Sequence, residues 1–325
     1  MKNSFPPRAI RTFDRLHFLR VCVGVLILSS QLHAQEPSQQ QHDADVRATH
    51  RDIEEFVEKI RPPLFGGLTG ADARIYKEIT FRVTDKDIAS RAGSLPEDGT
   101  RVVEIDIGYG REMEMMAEAL LIEQAQNRPV LIPYIRYVVR AWDRKASFVK
   151  DPTAFAHFNP DKIDKDPQQS SLLIAMTLSG MAFVMAHEVG HHVLGHYDKP
   201  LPKDLDKLRQ MEVDADAWAL RACLQARPHF SPLGGVLPLL FDYYTTPTPI
   251  EHETHSDHPA NLRRIESMFE AMKNALPQFR QEIERQGASY ADFRQFIEDS
   301  LESYKHQLQN DAPPVGELHP SGRSL

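Results

Sequence analysis

The chain has 325 residues, of which 41% are hydrophobic and 26% charged. That length and composition suit one substantial globular core or two small ones and exclude fibrous, collagenous and wholly disordered classes. A net charge of −8 argues against a nucleic-acid binder, which normally carries a basic surplus. The 15 histidines stand out, because neutral imidazole is the commonest metal ligand.

Residues 1–34 read as a secretory signal peptide. Lys2, Arg8, Arg11, Arg15 and Arg20 make a basic start, Val21 to Leu28 an apolar run, and Ala34 a small residue before Gln35. The run is much shorter than the roughly 20 residues of a bilayer span. The expectation is therefore an exported protein, periplasmic or secreted; an uncleaved signal anchor is the alternative. Removing five basic side chains and one acid with this leader would change the net charge from −8 to −12. Cys223 would then be alone, so no intrachain disulfide is expected to staple the fold.

Residues 35–43 read as a polar linker, 44–309 as one domain, and 310–325 as a tail of disordered composition. Within the domain, a helical pattern runs from about Asp45 to Ile60, stopped by Pro62-Pro63 and by a loop at Gly66, Gly67 and Gly70. Ile79–Val83 and Val103–Ile107 alternate in hydrophobicity as strands with one buried face. Helices are expected at about 111–127 and 130–145, followed by a loop rich in Pro, Asp and Lys at 150–169. The apolar run Ser171–Ala186 continues directly into His187-Glu188, which favours a buried central helix over a membrane span. Further helices are expected at 203–226, 233–244, 259–275 and 289–308. The predicted fold class is α+β, mainly helical with a small sheet.

His187-Glu188-Val189-Gly190-His191 is an H-E-x-x-H pentapeptide on a helical pattern. Residues four apart share a helix face, so both imidazoles can reach one Zn²⁺ at about 2.0–2.1 Å. Glu188 is turned by about 100° from that face and can take a proton from the metal-bound water. His192 and His196 point away from the ligand face and read as surface or packing residues. Downstream, Glu212 and Asp216 share a face of another helix, on which Ala215, Ala217 and Ala219 permit a close approach. A Glu from this helix can complete two-His-one-Glu coordination, and Asp216 can accept the ring N–H of a ligating His.

These motifs, followed by His258-Pro259-Ala260-Asn261-Leu262-Arg263-Arg264-Ile265, resemble the zinc metallopeptidases typified by the CAAX prenyl endopeptidase and HtpX, gluzincins of family M-forty-eight. The resemblance spans about 100–270. It implies a zincin-type domain holding one zinc ion per chain, with Glu212 as third ligand and Glu188 as catalytic base. His258 and Arg264 would approach the site and help hold the substrate or the charged intermediate. The family's membrane-embedded members carry several transmembrane helices, whereas here no span follows the leader.

The sequence thus reads as a zinc-dependent endopeptidase acting on polypeptide substrates, such as envelope or misfolded proteins, without nucleic acid. The strand near Val103–Ile107 is a candidate substrate-pairing edge. The alternative is a non-catalytic envelope chaperone or assembly factor that keeps zinc structurally; Glu188 argues against it, because a structural site needs no base.

Overall fold

In a computed structural model, the described residues are 39–86, 92–97, 99–144, 149–198, 200–226, 234–245, 261–285 and 289–310. The expected signal peptide and nearly all of the expected tail lie outside them, as does His258. The described chain is mainly helical with one small mixed sheet, an α+β fold.

Helix α1 (Gln39–Phe65) begins within the segment expected to be a linker and runs past the proline pair. Its apolar stripe of Ile53, Phe56, Val57, Ile60 and Leu64 follows the helical period and is buried. Pro62 and Pro63 were expected to stop it, since each removes a backbone donor. Burial of Leu64 and Phe65 offsets that loss, and the helix ends one turn later, where Gly66 N–H bonds Pro62 O at 2.8 Å. Helix α2 (Gly70–Lys77) starts at the last glycine of the expected loop and covers residues for which no element was expected.

Three strands follow: β1 (Ile79–Thr84), β2 (Ala92–Glu97) and β3 (Thr100–Asp106), in the order β1-β3-β2. β1 runs parallel to β3, and β2 antiparallel to it. β2 was missed in the sequence because Ala-Gly-Ser-Leu-Pro-Glu carries little strand propensity and a proline. An edge position explains how Pro96 is tolerated, since its absent N–H need not join the ladder. β3 is therefore the central strand, with Val102, Val103 and Ile105 all buried. This corrects the expectation that Val103–Ile107 forms a substrate-pairing edge: both of its sides are already paired, and Ile107 starts a helix. Among the described residues, β1 and β2 are the edge strands of the sheet.

Helix α3 (Ile107–Gln126) ends at Asn127, whose left-handed backbone (φ 50°) closes it. Helix α4 (Leu131–Asp143) follows, and the expected loop at 150–169 holds two short helices, α5 (Pro152–Ala156) and α6 (Asp161–Asp164). Helix α7 (Pro167–Val193) starts where the Asp166 carboxylate accepts from the N–H groups of Gln168 and Gln169, with Pro167 in the first turn. It packs against α3, β2, β3 and helix α8 (Leu205–Gln225). Helices α9 (Val236–Thr245), α10 (Asn261–Ala275), α11 (Arg280–Arg285) and α12 (Tyr290–Asn310) complete the described chain.

Among the described helices, α7 alone is long and apolar enough to cross a membrane, and 67% of its most apolar stretch is buried against the rest of the fold. Its hydroxyls are satisfied internally: Thr177 donates to Leu173 O and Ser179 to Ala175 O. These features make α7 the central helix of the core.

On α3, burial first and then the carboxylates of Asp151, Glu114 and Asp164 raise the pKa of Glu118 from 4.5 to about 8. A carboxyl with a higher pKa folded than unfolded holds its proton more tightly in the folded state. The stability it contributes is complete below pH 4.5 and is lost as pH rises towards 8. Glu118→Gln is expected to remove this loss. Calorimetry should find similar Tm values at pH 4.5 and a variant more stable by on the order of 5 °C at pH 8.5.

Candidate metal centre

α7 and α8 cross with Gly190 against Ala215 and Trp218. A Cβ on Gly190 would lie 3.3 Å from Trp218 Cε3 and 3.4 Å from Ala215 O. His187 and His191, on the same side of α7, face Glu212 and Asp216 on α8. The two Nε2 atoms are 3.0 Å apart. Glu212 Oε2 lies 3.4 Å from His187 Nε2, and its Oε1 3.5 Å from His191 Nε2.

Two imidazoles and a carboxylate form a donor set suited to zinc. A tetrahedral ion about 2.0–2.1 Å from each ligand requires ligand atoms about 3.3 Å apart. The observed 3.0, 3.4 and 3.5 Å lie within about 0.3 Å of that requirement. Among the described residues, His187, His191 and Glu212 make up the group that could hold a metal ion.

Each imidazole is held from behind. His187 Nδ1 lies 2.9 Å from Asp216 Oδ1, which fixes the ring with Nε2 turned inward. Asp216 in turn accepts from Arg264 on α10, Nε to Oδ2 at 2.8 Å and Nη2 to Oδ1 at 2.9 Å. Arg264 is thus joined to the ligands through Asp216. His191 Nδ1 lies 3.0 Å from His196 Nδ1, and the Tyr197 ring stacks on His191 with centroids 5.6 Å apart.

The position of His196 differs from the sequence expectation for a clear reason. That reading continued the helix through residue 196, but α7 ends at Val193. Gly195, with φ +72°, turns the chain back, and His196 returns to the outer face of His191. His192 is a packing residue, fully buried, with Nε2 3.0 Å from Val102 O on β3.

The electrostatics follow from burial and pairing. Burial disfavours a charge on His187, but the Asp216 and Glu212 carboxylates outweigh it and lift its pKa to about 10. Burial, reinforced by His187, pushes His191 down to about 3. Asp216 resists its own burial because Arg264 and His187 hold it ionised, at about 2. Burial also raises the pKa of Glu188, partly opposed by His187 and Ser94.

Glu188 is half-buried and reaches toward β2. Ser94 Oγ lies 2.6 Å from its Oε2 and 2.8 Å from its backbone oxygen. Sequence reasoning missed Ser94 because its strand was missed. It missed His196 because no periodicity marks a chain reversal; Gly195 was the only local signal.

Asp216→Asn and His196→Ala are each expected to weaken zinc binding about 10–100-fold, since each removes the group that orients a ligand imidazole. Competition with a chromogenic chelator measures this, and unchanged affinity in both variants would deny the two contacts that role.

The profile of a family described as Peptidase U49 matches residues 122–278 of this chain, a stretch that contains both ligand helices and Arg264. No curated protein and no solved structure gives a match. The chain is similar to that family over this stretch, and the likeness supports a peptidase.

Proposed function

We propose that the protein is a zinc-dependent endopeptidase built on a zincin-type domain. His187, His191 and Glu212 would hold one ion, and Glu188 would serve as general base. The observation that carries this reading is the convergence of three ligand atoms at tetrahedral spacing beside a half-buried carboxylate. Bound there, zinc supplies Lewis acidity, polarising the scissile carbonyl and making a water acidic near neutral pH.

The chain's own groups do the rest. Glu188 removes the proton of the attacking water and returns it to the leaving amine. Its raised pKa suits that exchange, and Ser94 on one carboxylate oxygen fixes its direction. Asp216 and Arg264 keep His187 oriented, which makes Arg264 a positioning residue. His258 belongs to the same reading through the family resemblance alone.

The likeness to the CAAX prenyl endopeptidase and HtpX family supports the ligand set, and the Peptidase U49 match supports the reaction class. The substrate class is polypeptide, bound extended along the outer edge of β2, which no described strand covers. That strand is the better candidate because Ser94 ties it to Glu188, whereas β3 has no free edge. The expected signal peptide would deliver the enzyme outside the cytoplasm.

Glu188→Gln is expected to abolish casein cleavage while about one equivalent of zinc stays bound. Retained cleavage would sink the assignment of the base. Ser94→Ala should lower kcat about tenfold with KM and zinc content unchanged, because it loosens the base without touching the ligands. A fall in bound zinc would instead give Ser94 a structural role.

A further inference from the structure

Outside the metal centre, α4 and α5 border an open cleft of about 530 Å³ lined by Pro133, Arg136, Tyr137, Arg140, Ala141, Arg144 and Phe155. Three of these seven side chains are arginines, and none is acidic. This reverses the sign of a chain whose net charge is −8. Several arginines elsewhere are paired, among them Arg61 with Glu58, Arg82 with Glu104, Arg101 with Asp198, and Arg264 with Asp216. Arg140 and Arg144 are exposed and make no ion pair with a described residue.

The spacing of the row selects a ligand shape. Arg136, Arg140 and Arg144 are four residues apart, a rise of about 6 Å per step along the helix. In an extended peptide, side chains on one face recur every 6.6–6.8 Å, or roughly the same distance. Carboxylates at alternate positions of an extended segment would therefore meet successive guanidiniums, those of Arg140 and Arg144 each able to bind one bidentately. A single compact anion would leave part of the row unused. Tyr137 and Phe155, stacked with centroids 5.2 Å apart, form an apolar wall beside the row. Phe155 also packs on Tyr134, whose hydroxyl donates to Lys150 O, so the wall is anchored in the fold.

We propose that this cleft is an exosite for an acidic, extended polypeptide segment. The inference deepens the peptidase reading and rests on it for one consequence: the cleft would favour substrates that carry an acidic stretch away from the cleaved bond.

Binding is measured on the full chain as Glu188→Gln, so that no peptide is consumed. The probe is a fluorescent octapeptide with glutamate at alternate positions, followed by anisotropy. Its lysine counterpart and inorganic pyrophosphate serve as comparisons. The glutamate peptide is expected to bind, to weaken with added salt, and to weaken about tenfold in Arg140→Gln/Arg144→Gln. The lysine peptide should not bind. Unchanged affinity in a folded double variant overturns the proposal. So does displacement by pyrophosphate at lower concentration than unlabelled glutamate peptide, which would indicate a phosphate site. Should the double variant fail to fold, the wild-type-arginine comparison of the three probes decides alone.

With Glu188 intact, the double variant should lose selectivity for an acid-tagged protein substrate while cleaving a short neutral peptide normally. Peptide binding without cleavage of any substrate would leave the exosite standing and remove the peptidase reading.

Discussion

The close approach of α7 and α8 at Gly190 and Ala215 is the contact on which the site depends. His187 and His191 stand three residues before and one after Gly190. Glu212 and Asp216 stand at the same offsets from Ala215. Two pairs at equal offsets around one crossing point are brought face to face, which is why three ligand atoms from two helices meet within 4.8 Å. A Cβ at Gly190 would already touch the Ala215 backbone and require Trp218 to give by a few tenths of an ångström, so the crossing has no room for a larger side chain. Ligand geometry tolerates a few tenths of an ångström, so the smallness of these two residues is as much part of the site as the imidazoles.

A second constraint is the burial of charge. Asp216 and Arg264 are both largely removed from water, and Arg264 is held well above the usual guanidinium range by Asp216 despite its burial. A buried ion pair is tolerated when its geometry is good and its remaining hydrogen bonds are met. Here the carboxylate takes two bonds from the guanidinium and makes its third contact with His187. The consequence reaches beyond the pair. Arg264 belongs to α10, so the carboxy-terminal helices are fastened to the ligand helices through charge as well as through the apolar contacts of Ile265 and Phe269.

Periodicity made the long helices legible, and the H-E-x-x-H spacing made the shared face of His187 and His191 legible too, whereas Glu212 as third ligand was implied by the family resemblance. The first two are local rules, set by 3.6 residues per turn. The errors lie where a non-local effect wins. Burial of Leu64 and Phe65 carries α1 through two prolines that local propensity reads as a stop. Pairing with β3 makes a strand of residues 92–97, which have little strand character alone. Once β2 is present, β3 loses its free edge, so one missed strand also misplaced the edge. The Arg264 motif was legible as lying near the site, but its partner was not, because the distance from Asp216 along the chain carries no geometric information.

The orientation of each imidazole distinguishes this cluster from two histidines that happen to share a helix face. A neutral imidazole has one N–H and one lone pair, and only the lone pair can bind a metal. On His187 the outer nitrogen faces a carboxylate that can only accept, so a metal that displaces the inner proton finds the remaining proton on Nδ1 and the lone pair on Nε2, facing inward. On His191 the outer nitrogen faces His196, an imidazole that can accept as well as donate, and the inner nitrogen faces Glu212. The two ligands are therefore oriented with unequal strength, firmly by Asp216 and more adaptably by His196. Solvent-facing histidines would show neither partner. The outer contacts, contributed by α8 and by the turn at Gly195, convert a helical spacing into a centre with inward-facing donors.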